Sequence, residues 1–207
     1  MKKIGVYFFL LFCFLGLVFP GLVGAKVDEH GNLRLENEYI SIFVNQQENN
    51  QGRFAVDVTG GAPMRESDEG KPLIYGRPRP WPSYTTFRID GTNYVFGGPT
   101  TQRAGRRAEY GEVTQPPKLQ NGKITTVTQF GSIEVTQILS LTESSTTGLP
   151  DTARIKYRVT NLGDQERKVG TRIVLDTMVG ENDGAPFRAE DRAIQTDTRY
   201  SGEEIPT

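Results

Sequence analysis

In one stretch of this chain Ala153, Ile155, Tyr157 and Val159 occupy every second position, with Arg154, Lys156, Arg158 and Thr160 between them. An extended backbone sends successive side chains to opposite faces, so this spacing predicts a strand with one apolar face and one solvated, cationic face. After a turn at residues 161–166, Val169, Thr171, Ile173 and Leu175 resume the alternation, which predicts a partner strand. The same period runs through Leu33, Leu35, Ile40, Ile42 and Val44, and through Phe54, Val56 and Val58. It returns at residues 85–89, 92–96, 124–130 and 133–142. Asp90-Gly91 and Asn121-Gly122 separate such runs and predict hairpins; for Asp-Gly the type I′ turn is favoured because glycine takes positive φ at no steric cost. Past the N-terminal region no window repeats at the helical period. One-sided alternation also argues against a parallel sheet, whose strands are buried on both faces. The expected fold is all-β, a mainly antiparallel β-sandwich. Residues 61–83 and 97–118, dense in proline, glycine and charge, are expected to be loops.

The first 25 residues follow a different rule. Lys2 and Lys3 precede an uncharged apolar run over residues 4–19. Pro20-Gly21 breaks it, and Val23-Gly24-Ala25 places small residues where a signal peptidase reads. The pattern predicts a secretory signal peptide over residues 1–25, followed by a sandwich domain over residues 26–207. The rival reading is an uncleaved anchor, since the apolar run is longer than usual. Cys13 lies inside the run, which excludes a lipoprotein signal. Cleavage would leave a slightly more acidic chain without cysteine, a composition common in bacterial exported proteins. The expected location is therefore secreted or cell-envelope, with no membrane association once the signal is removed.

Composition narrows the chemistry further. The single Cys of 207 residues cannot form an internal disulfide, and one Cys and one His cannot build a Cys/His zinc site. A Ser-His-Asp or Cys-His device would have to run through His30 alone. A net charge of -1 and a pI near 6.0 lack the electrostatic footprint of a nucleic-acid binder, so none is expected.

Three segments carry candidate sites. The first holds Tyr75, Arg77, Arg79, Trp81 and Tyr84 among Gly76, Pro78, Pro80 and Pro82. Prolines favour extended backbone that splays side chains outward. Aromatic faces stack on sugar rings and guanidinium groups donate to hydroxyls, so the loop is a candidate carbohydrate platform. The alternative is that Trp81 plugs the end of the sandwich and the prolines stiffen a crossover. The second, residues 176–184, offers Asp176, Glu181, Asn182 and Asp183 as hard oxygen ligands for Ca²⁺. The alternative is a turn in which Asn182-Asp183-Gly184 supplies the backbone angles. The third holds Arg103, Arg106 and Arg107 in a glycine-containing loop, as an anion clamp or as solvated charge balanced by Glu109 and Glu112. Carboxylates such as Asp176 with Asp183 or Glu181, or Asp57, Glu66, Asp68 and Glu69, leave room for glycosidase chemistry.

The order of features resembles the galactose-mutarotase-like supersandwich. Residues 33–44 resemble its first strands, residues 54–61 the strand and glycine turn that follow, and residues 153–161 with 169–176 its later hairpin. The resemblance implies a large antiparallel sandwich with a sugar-accommodating face. The active members use histidines with a catalytic carboxylate, and no histidine follows His30, so no catalytic residue is carried over. Residues 192–200 read as a further strand close to Thr207, which predicts the first part of a larger, incomplete sandwich. The expected function is an exported, noncatalytic module that binds carbohydrate. The alternatives are a structural or adhesive cell-envelope module with an Ig-like sandwich, and a carboxylate-dependent glycosidase or lyase.

Overall fold

The computed structural model describes residues 24–60, 66–184, 187–189 and 192–204. Residues 1–23 of the expected signal peptide lie outside them, as do residues 61–65 of the first expected loop. The fold is all-β, and no α-helix occurs among the described residues. A first sheet has the order β1 (Gly24–Val27), β2 (Asn32–Glu36), β3 (Ile40–Asn45), β4 (Phe54–Val58) and β5 (Pro72–Ile74). A second sheet joins β6 (Tyr84–Ile89), β7 (Thr92–Val95) and β8 (Glu109–Tyr110), and a long sheet joins β9 (Glu112–Gln120), β10 (Lys123–Phe130), β11 (Ile133–Thr142) and β12 (Thr152–Asn161). The strand β13 (Val169–Val174) pairs with β6 in the second sheet, and β14 (Phe187–Ala189) pairs with β15 (Arg192–Ile194). Among the described residues every strand pairing is antiparallel except β7 with β8.

The long sheet covers both shorter ones. Ile124 and Leu139 at one end pack with Leu33, Leu35, Ile42, Val44, Phe54 and Val56 of the first sheet. Phe130, Ile133 and Val135 at the other end pack with Phe87, Ile89 and Phe96 around the second. A polar row crosses the long sheet between these cores, because Thr126, Gln137 and Tyr157 lie opposite one another on β10, β11 and β12. Gln137 Nε2 donates to the Tyr157 hydroxyl at 2.8 Å, and Thr85 Oγ1 of β6 lies 2.6 Å from the same oxygen. The row thereby ties the second sheet to the long one.

The hairpins form as the turn chemistry dictates. Asp90 and Gly91 both have positive φ between β6 and β7, and Asn121 and Gly122 do so between β9 and β10. Three expectations are corrected. The run at residues 169–175 does not pair with the strand before it: β12 pairs with β11 and β13 with β6, so residues 162–168 cross between sheets. Asp90 captures that crossing. Its carboxylate accepts from the Lys168 N–H at 2.9 Å and pairs with Arg167, and its own N–H donates to Lys168 O at 3.0 Å. Residues 112–118 are strand, not loop. Pro116 and Pro117 are tolerated because β9 is an edge strand and its register shifts beside them. The strand read over residues 192–200 is only Arg192–Ile194. At the other end, Gly24 and Ala25 pair with Glu36 and Leu35 in β1, so cleavage after residue 25 would leave Lys26 and Val27 of that strand.

All six residues of β3 are buried, which requires a cover on its outward face as well as its inward one. The proline-rich segment over residues 75–83 is that cover. Asn32 Nδ2 donates to Pro78 O at 2.8 Å, Asn45 Nδ2 to Pro80 O at 3.3 Å, and Arg53 Nη1 to Trp81 O at 3.0 Å. Proline lacks an N–H, so the carbonyls are the groups of this segment that the sheet can hold.

Candidate functional site

On β6, Tyr84, Thr86 and Arg88 point away from the core, while Thr85, Phe87 and Ile89 point into it. Antiparallel register puts directly opposed residues on the same face. Arg88 lies opposite Gly170 of β13 and Asn93 of β7; Thr86 lies opposite Arg172 and Val95. The outward face of the second sheet is therefore a grid of hydroxyl, amide and guanidinium groups with a gap at Gly170. The segment carrying Gly105, Arg107, Ala108 and Glu109 folds along it as a wall. Together they enclose an open cleft of about 700 Å³, within the range of small-ligand sites.

A buried arginine builds both the floor and the wall. Arg53 is 2 % exposed, and its guanidinium carbon lies 5.1 Å from the centre of the Tyr84 ring. Besides its bond to Trp81 O, its Nη2 donates to Ala104 O at 3.1 Å and to the Tyr110 hydroxyl at 3.3 Å. That hydroxyl donates onward to Gly105 O at 3.0 Å. Gly105 has φ +106, and a Cβ there would lie 2.7 Å from the Tyr110 hydroxyl, so this closure requires glycine. No carboxylate pairs with Arg53 among the described residues. Burial lowers its pKa, with the tyrosine oxygens opposing, and burial raises that of Tyr110, with Arg53 opposing.

The structure separates the residues of the expected aromatic platform. Only Tyr84 lines the cleft. Tyr75 is exposed, and its N–H donates to Asp176 O at 2.8 Å. Arg79 is exposed, and Trp81 is half-buried. Arg77 turns to the first sheet, where it pairs with Asp57. Arg77 and Arg34 each lie 5.1 Å from the centre of the Phe43 ring. Burial pushes the Asp57 carboxyl up to about 6 against the opposing pull of Arg77 and Arg34. A second cavity of about 550 Å³ lies there, lined by Lys26, Asp28, His30, Arg34, Phe43 and Arg77 among others.

The two other candidate segments also divide. Of Arg103, Arg106 and Arg107, only Arg107 reaches the cleft. In residues 176–184 the backbone turns tightly: Val179 and Asn182 exchange N–H to C=O bonds at 3.1 and 3.0 Å, with Gly180 at φ +63. Asn182 Oδ1 accepts from the Gly184 N–H at 3.0 Å, while Glu181 and Asp183 are exposed. The Asp176 N–H donates to Ser83 Oγ at 3.0 Å. Among the described residues no three His, Cys, Asp or Glu side chains converge on a point.

Sequence reasoning passed over Arg53, Arg88 and Arg172. The last two were open to it, since each occupies an outward position of an alternating strand. Arg53 directly precedes Phe54 with no local mark of burial. Compared with protein-family models, curated proteins and solved structures, the chain matches none.

Proposed function

We propose that this protein is an exported, noncatalytic sandwich module that binds carbohydrate across the outward face of its second sheet. One observation carries the reading: the Tyr84 ring, held from behind by Arg53, lines an open cleft whose polar groups are hydroxyls, an amide, guanidiniums and the Glu109 carboxylate. A fixed aromatic face stacks on the apolar face of a sugar ring, and the surrounding donors and acceptors suit its hydroxyls. The open form suits an extended chain better than an enclosed small molecule. The reading keeps Tyr84 from the expected platform and replaces its loop neighbours with residues of β6, β7 and β13. A glycan array read with wild type, Tyr84→Phe and Tyr84→Ala tests it. Binding by the first two and loss in the third is expected; no binding by wild type overturns it.

A second reading, a cell-envelope module acting through protein contact, is favoured by the exposed apolar residues Val169, Ile173 and Leu175 on and beside β13. Light scattering on wild type and Ile173→Lys separates it: a wild-type oligomer that dissociates in the variant supports it, and a monomer throughout removes it.

A further inference from the structure

We infer that the glycan taken by this cleft is acidic, its carboxylate or sulfate groups held by Arg88, Arg172 and Arg107. The inference rests on the carbohydrate reading and names the chemical class of that ligand.

The three guanidinium groups come from three separate segments, β6, β13 and the wall loop, and line one cleft. Among the described residues none of the three makes an ion pair or a side-chain hydrogen bond, whereas Arg34, Arg77 and Arg167 are all paired with carboxylates. Among the described residues Glu109 is the only carboxylate residue lining the cleft. Three like charges facing one space repel, and an anion placed among them relieves that repulsion. Guanidinium presents a planar fork of donors that matches a carboxylate or a sulfate ester, two oxygens to two N–H groups.

The layout also sets the size of the ligand. Tyr84 and Arg88 are four residues apart on one strand, about 13 Å at the usual rise, which exceeds a single pyranose ring. An extended glycan stacked at Tyr84 and running along β6 therefore brings its further sugars over Arg88. Arg172, diagonal to Arg88 across the register, lies between these ends. Gly170 leaves the floor open opposite Arg88, and a Cβ there would meet only Arg88 Cβ, at 4.0 Å. Nucleic acid also carries repeating anions, so duplex DNA is the competing ligand that the test must include.

The test is affinity electrophoresis of the full chain in polygalacturonate, its methyl ester, dextran sulfate, dextran and duplex DNA. Retardation by polygalacturonate or dextran sulfate is expected, at least about tenfold tighter than by the matching neutral polymer and weakening with added salt. The two acidic arms tell carboxylate from sulfate recognition. Arg88→Gln with Arg172→Gln should lose about tenfold or more in acidic-polymer affinity at an unchanged melting temperature. Gly170→Val should block the floor, and Arg154→Gln on the distant face of β12 should bind as wild type. Equal binding of acidic and neutral polymers overturns the acidic assignment and leaves the carbohydrate reading standing. Tighter binding of DNA than of either acidic polymer, or unchanged affinity in the double variant, also overturns it. Binding of no polymer overturns both.

Discussion

The outward faces of the first and second sheets both set arginines beside aromatic rings, and they put them to opposite uses. On the first sheet Arg34 and Arg77 lie over Phe43, Arg77 pairs with the buried Asp57, and the proline-rich segment closes over the strands. The cations there are paired and stacked, so the face works as a fastening between the first sheet and the segment over it. On the second sheet Arg88 and Arg172 stand on open strands, with only Glu109 as a carboxylate residue lining the cleft among the described residues, and Tyr84 is supported from below by Arg53. Residue type is nearly the same in the two places. A buried carboxylate and a covering segment make one a fastening, and their absence from the other leaves charge available to a ligand.

Substitutions can break this contrast, and the largest effect is expected where the two faces meet. Arg53→Met removes the donor for Trp81 O, Ala104 O and the Tyr110 hydroxyl while sparing the cost of burying a charge, for a net loss of about 3 kcal/mol. Urea unfolding checks it, and a loss below about 1 kcal/mol, the worth of a single ordinary hydrogen bond, would show that Arg53 does not hold the two loops. Next comes Arg77→Ala, which strands Asp57 without its partner. A loss of about 2–3 kcal/mol is expected at pH 7, shrinking at pH 4.5, where Asp57 takes up a proton.

The Asp57 carboxyl sharpens the contrast by itself. Its pKa is about 6 folded against 3.8 as the ordinary value, so the folded state binds the proton more tightly. Its contribution to stability is complete below pH 3.8 and is lost as pH rises through 6. Asp57→Asn should therefore gain on wild type in urea midpoint from pH 4 to pH 7; a constant difference over that range refutes the shift. The smallest stability effects belong to the open face. Arg88→Gln, Arg172→Gln and Gly170→Val should each stay within about 0.5 kcal/mol of wild type, because these groups are unpaired or have space around them. A larger loss in any of them would mean that the second face, too, is a fastening.

How much was legible depended on the range of the interaction. The alternation at residues 153–159 and 169–175 located β12 and β13, since a half-buried strand imposes its period on adjacent residues. Asp90-Gly91 and Asn121-Gly122 located two hairpins because positive φ is a local demand. The partner of β13 was not legible: it depends on Asp90, far away in the chain, capturing Lys168. Pro116-Pro117 hid β9, because proline is permitted only where a strand has a free edge, and edges are a property of the whole sheet. Tyr84 was found as an aromatic, but its separation from Trp81 and Arg77 follows from which face of which sheet each one meets.

The sequence by itself determined an all-β chain of antiparallel strands, the positions of its main strands and tight turns, and the outward placing of Arg88 and Arg172. These follow from steric rules that act between neighbouring residues. Only the tertiary structure decided that Arg53 is buried, that it fastens two loops distant in sequence, that Asp57 disarms Arg77, and that Arg88, Arg107 and Arg172 share one cleft. Burial and charge pairing depend on what else arrives at the same place, and that is known only once the sheets have packed.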